Sequence, residues 1–206
     1  AEEALCGLVP EATGLKFMDS QILDWDGIEV WISRSGYTGE DGFEISVPSL
    51  EAERLARALL ECDWVLPAGL GARDSLRLEA GMPLYGHDLS PDITPAEADL
   101  GWAIPKVRRR GGSREGGFPG AGVILEQLVE GPSRKRVGLR AEGRAPVREG
   151  AKLFLSVEDT EPVAEVTSGG FGATVGGPIA MAMLPTEIHP GTTVHAEVRG
   201  KRLPLT

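Results

Sequence analysis

Residues 24–47 read DWDGIEVWISRSGYTGEDGFEISV. Asp26-Gly27 between two apolar runs is the signal of a tight two-residue hairpin, because its turn needs positive φ at both central positions. Beyond it, Ile28, Val30 and Ile32 fall on one face of an extended chain, and Glu29, Trp31 and Ser33 on the other. After the glycine-rich loop 36–42 the alternation returns: Phe43, Ile45 and Val47 share one face, Glu44 and Ser46 the other. Such one-sided strands must bury their apolar face against another layer. Two amphipathic segments follow. Residues 50–60, after Pro48-Ser49, carry Leu55, Ala58 and Leu59; residues 69–80 carry Leu70, Leu76 and Leu78, with Arg73 and Arg77 four apart on a shared face. The fold class expected is α+β.

Working outward, residues 2–10 read as the end of a helix stopped by Pro10 and Gly14, and residues 15–23 as a strand. Residues 85–99 read as a long ordered loop. The basic, glycine-rich stretch 107–120 reads as an exposed connection, dividing a first part, residues 1–104, from a second, residues 110–206. The texture of the second part differs. After a short helix over 122–129, apolar runs at 137–139, 153–157, 163–166, 179–183, 193–198 and 203–205 are punctuated by Gly and Pro. That is the pattern of a small β-barrel or sandwich, with Arg199-Gly200-Lys201 as a hairpin turn.

Composition narrows the function. The 28 glycines and 15 prolines exceed one residue in five of 206, which favours turn-rich β structure over a helix bundle. A net charge of −10 repels a phosphate backbone, so no nucleic-acid partner is expected. No apolar run approaches the ~20 residues of a membrane span. Two cysteines and three scattered histidines offer no metal-ligand spacing.

Three places carry candidate chemistry. Glu44 stands mid-strand beside Trp31 or Tyr37, where a carboxylate can accept two parallel N–H bonds from a planar heterocycle such as an amino-pyrimidinone; the alternative is a solvated outer-face glutamate. Arg73 is either a substrate-binding fork or a surface arginine paired with a neighbouring acid. His87-Asp88 offers acid and base types side by side, but adjacent residues of an extended chain point in opposite directions, so no dyad is expected. The basic runs 108–110 and 134–136 read as solvated, with docking of an acidic partner as the functional alternative.

Residues 33–48 (SRSGYTGEDGFEISVP), 69–104 (GLGARDSLRLEAGMPLYGHDLSPDITPAEADLGWAI) and 166–185 (VTSGGFGATVGGPIAMAMLP) resemble the aminomethyltransferase (T-protein) family of the glycine cleavage system. The resemblance covers essentially the whole chain. It implies a partial folate-binding α/β core, a ferredoxin-like half, followed by a C-terminal β-barrel. It implies transfer of a one-carbon unit from the aminomethylated lipoyl arm of H-protein to tetrahydrofolate, with release of ammonia and no metal. It implies a cytoplasmic protein in a bacterium or a mitochondrial-matrix one in a eukaryote. Residue by residue, Glu44 matches the glutamate that grips the pterin, Arg73 the substrate-binding arginine and Tyr37 a tyrosine lining the folate cavity.

The same resemblance marks a departure. The family's catalytic aspartate lies in an N-terminal portion that residues 1–206 do not match, so no catalytic residue is assigned, and the expectation is a C-terminal fragment inactive alone. Rival readings are a folate-dependent demethylase, a dimethylglycine- or sarcosine-oxidising enzyme, and a non-catalytic folate-binding scaffold. The scaffold is disfavoured because its relatives carry a cysteine-containing signature resembling KGCYxGQE, and no cysteine lies near GYTGEDGFEIS.

Overall fold

The computed structural model describes residues 1–206, which divide into two compact units, Ala1–Ala80 and Gly81–Thr206. The first is built on a three-stranded antiparallel sheet in the order β1 (Ser20–Trp25), β2 (Ile28–Ser33), β3 (Glu44–Ser46). The β1–β2 turn has φ of 54° at Asp26 and 78° at Gly27, the primed-turn geometry that the Asp-Gly pair predicts. β1 starts at Ser20, later than the expected 15–23. A turn intervenes: the Asp19 carboxylate accepts the Lys16 N–H (2.9 Å), the Asp19 N–H returns to the Lys16 carbonyl (2.9 Å), and Met18 is left-handed.

One face of this sheet is covered. Val30 and Ile32 are buried there, packed with Leu5, Val9, Ala12 and Leu15 from the N-terminal segment, and with Trp25 and Leu55. The N-terminal segment is a short helix, α1 (Glu2–Cys6), followed by a 3-10 turn at Pro10–Gly14; proline cannot continue the helix. Leu55 comes from α2 (Ala52–Leu60), the helix expected after Pro48-Ser49. α3 (Leu70–Glu79) completes the unit. The opposite sheet face, carrying Ile22, Trp31, Glu44 and Ser46, is exposed.

The second unit opens with turns over 81–120, then α4 (Ala121–Glu130). The expected solvated basic run 108–110 is partly internal: Arg108 donates to the Gly116 carbonyl (3.0 Å), and Arg109 to those of Ile104 (2.9 Å) and Gly101 (2.8 Å). The run 134–136 is also engaged. Arg134 pairs with Glu97, Lys135 with Asp99, and Arg136 donates to the carbonyls of Ala98 and Gly81. These cations serve their own loop backbone and acids.

Six strands follow: β4 (Arg134–Arg140), β5 (Lys152–Phe154), β6 (Ala164–Gly172), β7 (Gly177–Pro185), β8 (Val194–Val198) and β9 (Lys201–Leu205), in the order β4-β7-β6-β5-β8-β9. The sheet closes on itself. Arg140 and Thr206 exchange two backbone bonds (2.7 and 3.0 Å), and the Glu142 N–H reaches the Pro204 carbonyl, joining the end of β4 to β9. Closure removes the free edges that an open sheet exposes. Leu139, Val147, Leu153, Val166, Ala180, Ala182, Val194, Ala196 and Leu205 fill the interior. At Gly169 a Cβ would lie 2.1 Å from the Val147 carbonyl oxygen, so the segment carrying Val147 reaches β6 only because that residue is glycine. No helix is long and apolar enough to cross a membrane.

Candidate functional site

The glycine-rich loop 36–42 is fastened at three points. At its base the Arg34 guanidinium grips Asp41 with two parallel bonds, Nε to Oδ1 (2.9 Å) and Nη2 to Oδ2 (2.8 Å). The same group reaches Glu2 (2.8 Å) and the Leu15 carbonyl (3.0 Å), and stacks over Phe43. Arg34 holds the Asp41 carboxyl below the usual carboxylate range. At the middle of the loop Gly39 has φ of 80°, and a Cβ there would meet the Ala80 Cβ at 2.6 Å, so only glycine lets the loop seat against the end of α3. The third fastening is Tyr37, whose ring lies under the Arg73 guanidinium at 4.5 Å.

Arg73 thus stands over Tyr37 rather than pairing with a neighbouring acid as its surface alternative expected. Its neighbour Asp74 is claimed by Arg77, through Nε (2.8 Å) and Nη2 (2.7 Å), and Arg77 is buried to 2% exposure. The expected shared face of Arg73 and Arg77 does not survive in burial: Arg77 is buried while Arg73 stays exposed over Tyr37. A guanidinium stacked flat on an aromatic ring keeps its N–H groups pointing outward in a fixed plane.

Glu44 begins β3 on the exposed sheet face, directly across from Ser33. Its Oε2 accepts the Ser35 hydroxyl (2.8 Å), which orients the carboxylate and leaves Oε1 open. Tyr37 and Arg73 thus meet each other, while Glu44 is held separately through Ser35. Three well-formed cavities have other linings: one of about 600 Å³ lies over Trp25 and α2, and two flank the barrel.

His87 and Asp88 part as expected. His87 Nδ1 meets Glu149 Oε2 (2.7 Å) at the surface. Asp88 is fully buried and accepts the Leu84 N–H (2.9 Å) and the hydroxyls of Thr167 and Ser168 on β6. This carboxylate ties the loop 84–88 to the barrel, and no sequence signal marked it. The Arg34–Asp41 clip was also missed; its only trace was opposite charge at the two ends of one glycine loop.

The sequence family described as "GCVT N-terminal domain" matches residues 1–108, and "Glycine cleavage T-protein C-terminal barrel domain" matches residues 134–206. The chain belongs to the glycine cleavage T-protein family. Among members of this family, the mitochondrial aminomethyltransferase of Dictyostelium discoideum is 47% identical over 204 residues, covering 95% of this chain and 49% of that protein. The mitochondrial aminomethyltransferase of Flaveria anomala is 50% identical over 188 residues, covering 90% and 44%. The crystal structure of the glycine cleavage system aminomethyltransferase T from Bartonella henselae superimposes with a TM-score of 0.82 at 47% identity, covering 94% of this chain and 51% of that one. The chain thus spans about half the length of the T-proteins it matches. The mixed α/β unit and the C-terminal barrel are the fold of this family.

Proposed function

We propose that the chain binds tetrahydrofolate through Glu44, Arg73 and Tyr37, as part of an aminomethyltransferase that takes the one-carbon unit from the lipoyl arm of an H-protein and releases ammonia. The observation that carries this reading is Glu44: a carboxylate on a free sheet face, oriented by Ser35 and with one oxygen open. A pterin edge presents adjacent N–H donors to such an acceptor. Arg73, seated over the Tyr37 ring at 4.5 Å, supplies a planar set of donors for carbonyl or carboxylate oxygens of the same ligand.

In this reading the chain's residues bind and orient. The aminomethyl carbon becomes electrophilic as ammonia departs, which calls for a positioned acid or base near the folate nitrogens. Glu44 is assigned to binding rather than to that step, and no residue of this chain is assigned to it. Residues 1–104 serve the folate site and residues 110–206 form the barrel part. The place of action is the cytoplasm in a bacterium or the mitochondrial matrix in a eukaryote. Anaerobic calorimetric titration of the chain with tetrahydrofolate tests the binding. Saturable binding weakened by Glu44→Gln supports it, and absence of saturable binding by the parent chain overturns it. Methylenetetrahydrofolate formation from aminomethylated H-protein tests the transfer.

A further inference from the structure

Trp31 is 57% exposed, an unusual position for the largest apolar side chain, and it shares its sheet face with Glu44. The strand register places them. Ser20, Ser33 and Glu44 form one row across β1, β2 and β3; Ile22, Trp31 and Ser46 form the adjacent row. The indole leans from its own row toward the first, because its Nε1 donates to the Ser20 hydroxyl. Ser20 in turn meets the Ser33 hydroxyl at 2.9 Å. The ring is therefore held at the β1 side of the row that ends in Glu44. Two strand spacings, roughly 9–10 Å, separate Ser20 from Glu44. Between them lies only the small side chain of Ser33.

We propose that Trp31 is the stacking wall of the seat that Glu44 closes, so that a flat heterocycle lies against the indole with its N–H edge on the Glu44 carboxylate. This rests on the tetrahydrofolate reading and adds to it a residue that the motif resemblance does not assign. The chemistry is complementary. A fused two-ring pterin has an apolar π face and a polar edge; the indole offers the first surface and Glu44 the second. Ser20 acts as a positioning residue, since its hydroxyl anchors the indole nitrogen. Trp31 lies opposite the buried Val30 and Ile32, so replacing it leaves the core of the sheet in place.

The test titrates the chain with 5-formyltetrahydrofolate, an air-stable reduced folate, following both affinity and the proton chemical shifts of the ligand's heterocycle. In the parent chain those protons shift upfield, as a ring placed over an indole requires. Trp31→Leu abolishes the shift and weakens binding about five- to hundredfold, the range for loss of an aromatic stacking partner. Trp31→Phe recovers most of the affinity, and Ser20→Ala reduces the shift by freeing the indole. If the parent binds and Trp31→Leu binds equally well with the same shifts, the stacking role is wrong while the folate reading stands. If the parent does not bind, or Glu44→Gln binds as the parent does, the folate reading falls and the inference with it. Thermal melts of each variant separate lost contact from lost fold.

Discussion

Arg34 and Asp41 close the glycine-rich loop at its base by a two-point ion pair, Nε to Oδ1 and Nη2 to Oδ2. The pair joins the residue following β2 to the next-to-last residue of the loop 36–42. Because Arg34 depresses the Asp41 pKa, deprotonated Asp41 favours the folded state. That contribution is fully present above the ordinary aspartate value of 3.8 and is lost as pH falls through the lower folded value. Thermal melts between pH 7 and pH 2.5 should show the parent losing stability below about pH 4, and Asp41→Asn losing less over that interval while being less stable at pH 7. A parallel pH profile for the two would show that the clip adds nothing.

Glu97 gives a second acid-sensitive contact, in the other unit. Burial pushes its carboxyl up, but the Thr94 N–H (2.8 Å) and Arg134 (2.9 Å) pull it down and prevail. The Thr94 hydroxyl also accepts the Glu97 N–H (3.1 Å), a reciprocal capping pair. Glu97→Gln should destabilise the unit near neutral pH by about 1–3 kcal/mol, the usual range for a hydrogen bond to a charged group. Denaturant unfolding at pH 7 and at pH 3 checks this: the difference from the parent should shrink at the lower pH.

Glu44→Gln turns one acceptor of the site into a donor facing the ligand's own donors. The expected loss of tetrahydrofolate affinity is roughly 1–3 kcal/mol, about tenfold or more. Calorimetric titration measures it, and the melting temperature should stay within a few degrees, because Glu44 is exposed.

Arg73→Lys keeps the charge and loses the plane. An ammonium cannot stack flat on Tyr37 or present the same fork of donors, so folate binding should weaken despite the conserved charge. Equal affinity of the two proteins would reduce Arg73 to a surface cation on α3.

Gly169→Ala should destabilise the barrel strongly. The added methyl would sit 2.1 Å from the Val147 carbonyl oxygen, which is backbone and cannot rotate aside. Overpacking of this kind costs about 1–3 kcal/mol or more, and differential scanning calorimetry should show a lowered transition.

Local pattern was enough for much of this molecule. Asp26-Gly27 specified its own turn, because only certain residues tolerate φ of 54° and 78°. The alternation over 28–33 put Val30 and Ile32 inside and Trp31 outside, since successive side chains of a strand face opposite ways. His87 and Asp88 also point apart, but on a hydrogen-bonded turn rather than an extended chain, since both their N–H groups reach the Leu84 carbonyl. The apolar runs after residue 134 each overlap a strand, although β5 takes only the start of the run 153–157 and ends at Phe154. For Glu44, pattern placed the residue on the right face but could not tell a binding carboxylate from a solvated one.

Other features depended on residues distant in sequence meeting in space. Whether the six strands closed or stayed open was decided by Arg140 meeting Thr206, a pairing that no local periodicity encodes. The partner of Arg73 was decided by competition: Arg77 took Asp74, and the loop brought Tyr37 to the guanidinium. Asp88 became a buried tie only because β6 presented two hydroxyls to it, 79 and 80 residues away in sequence. The underlying reason is one of range. Turn dihedrals and side-chain alternation are properties of a few consecutive residues and are written in the order of the chain. Ion-pair choice, barrel closure and the burial of a carboxylate are settled by which surfaces the packed core brings within hydrogen-bond distance.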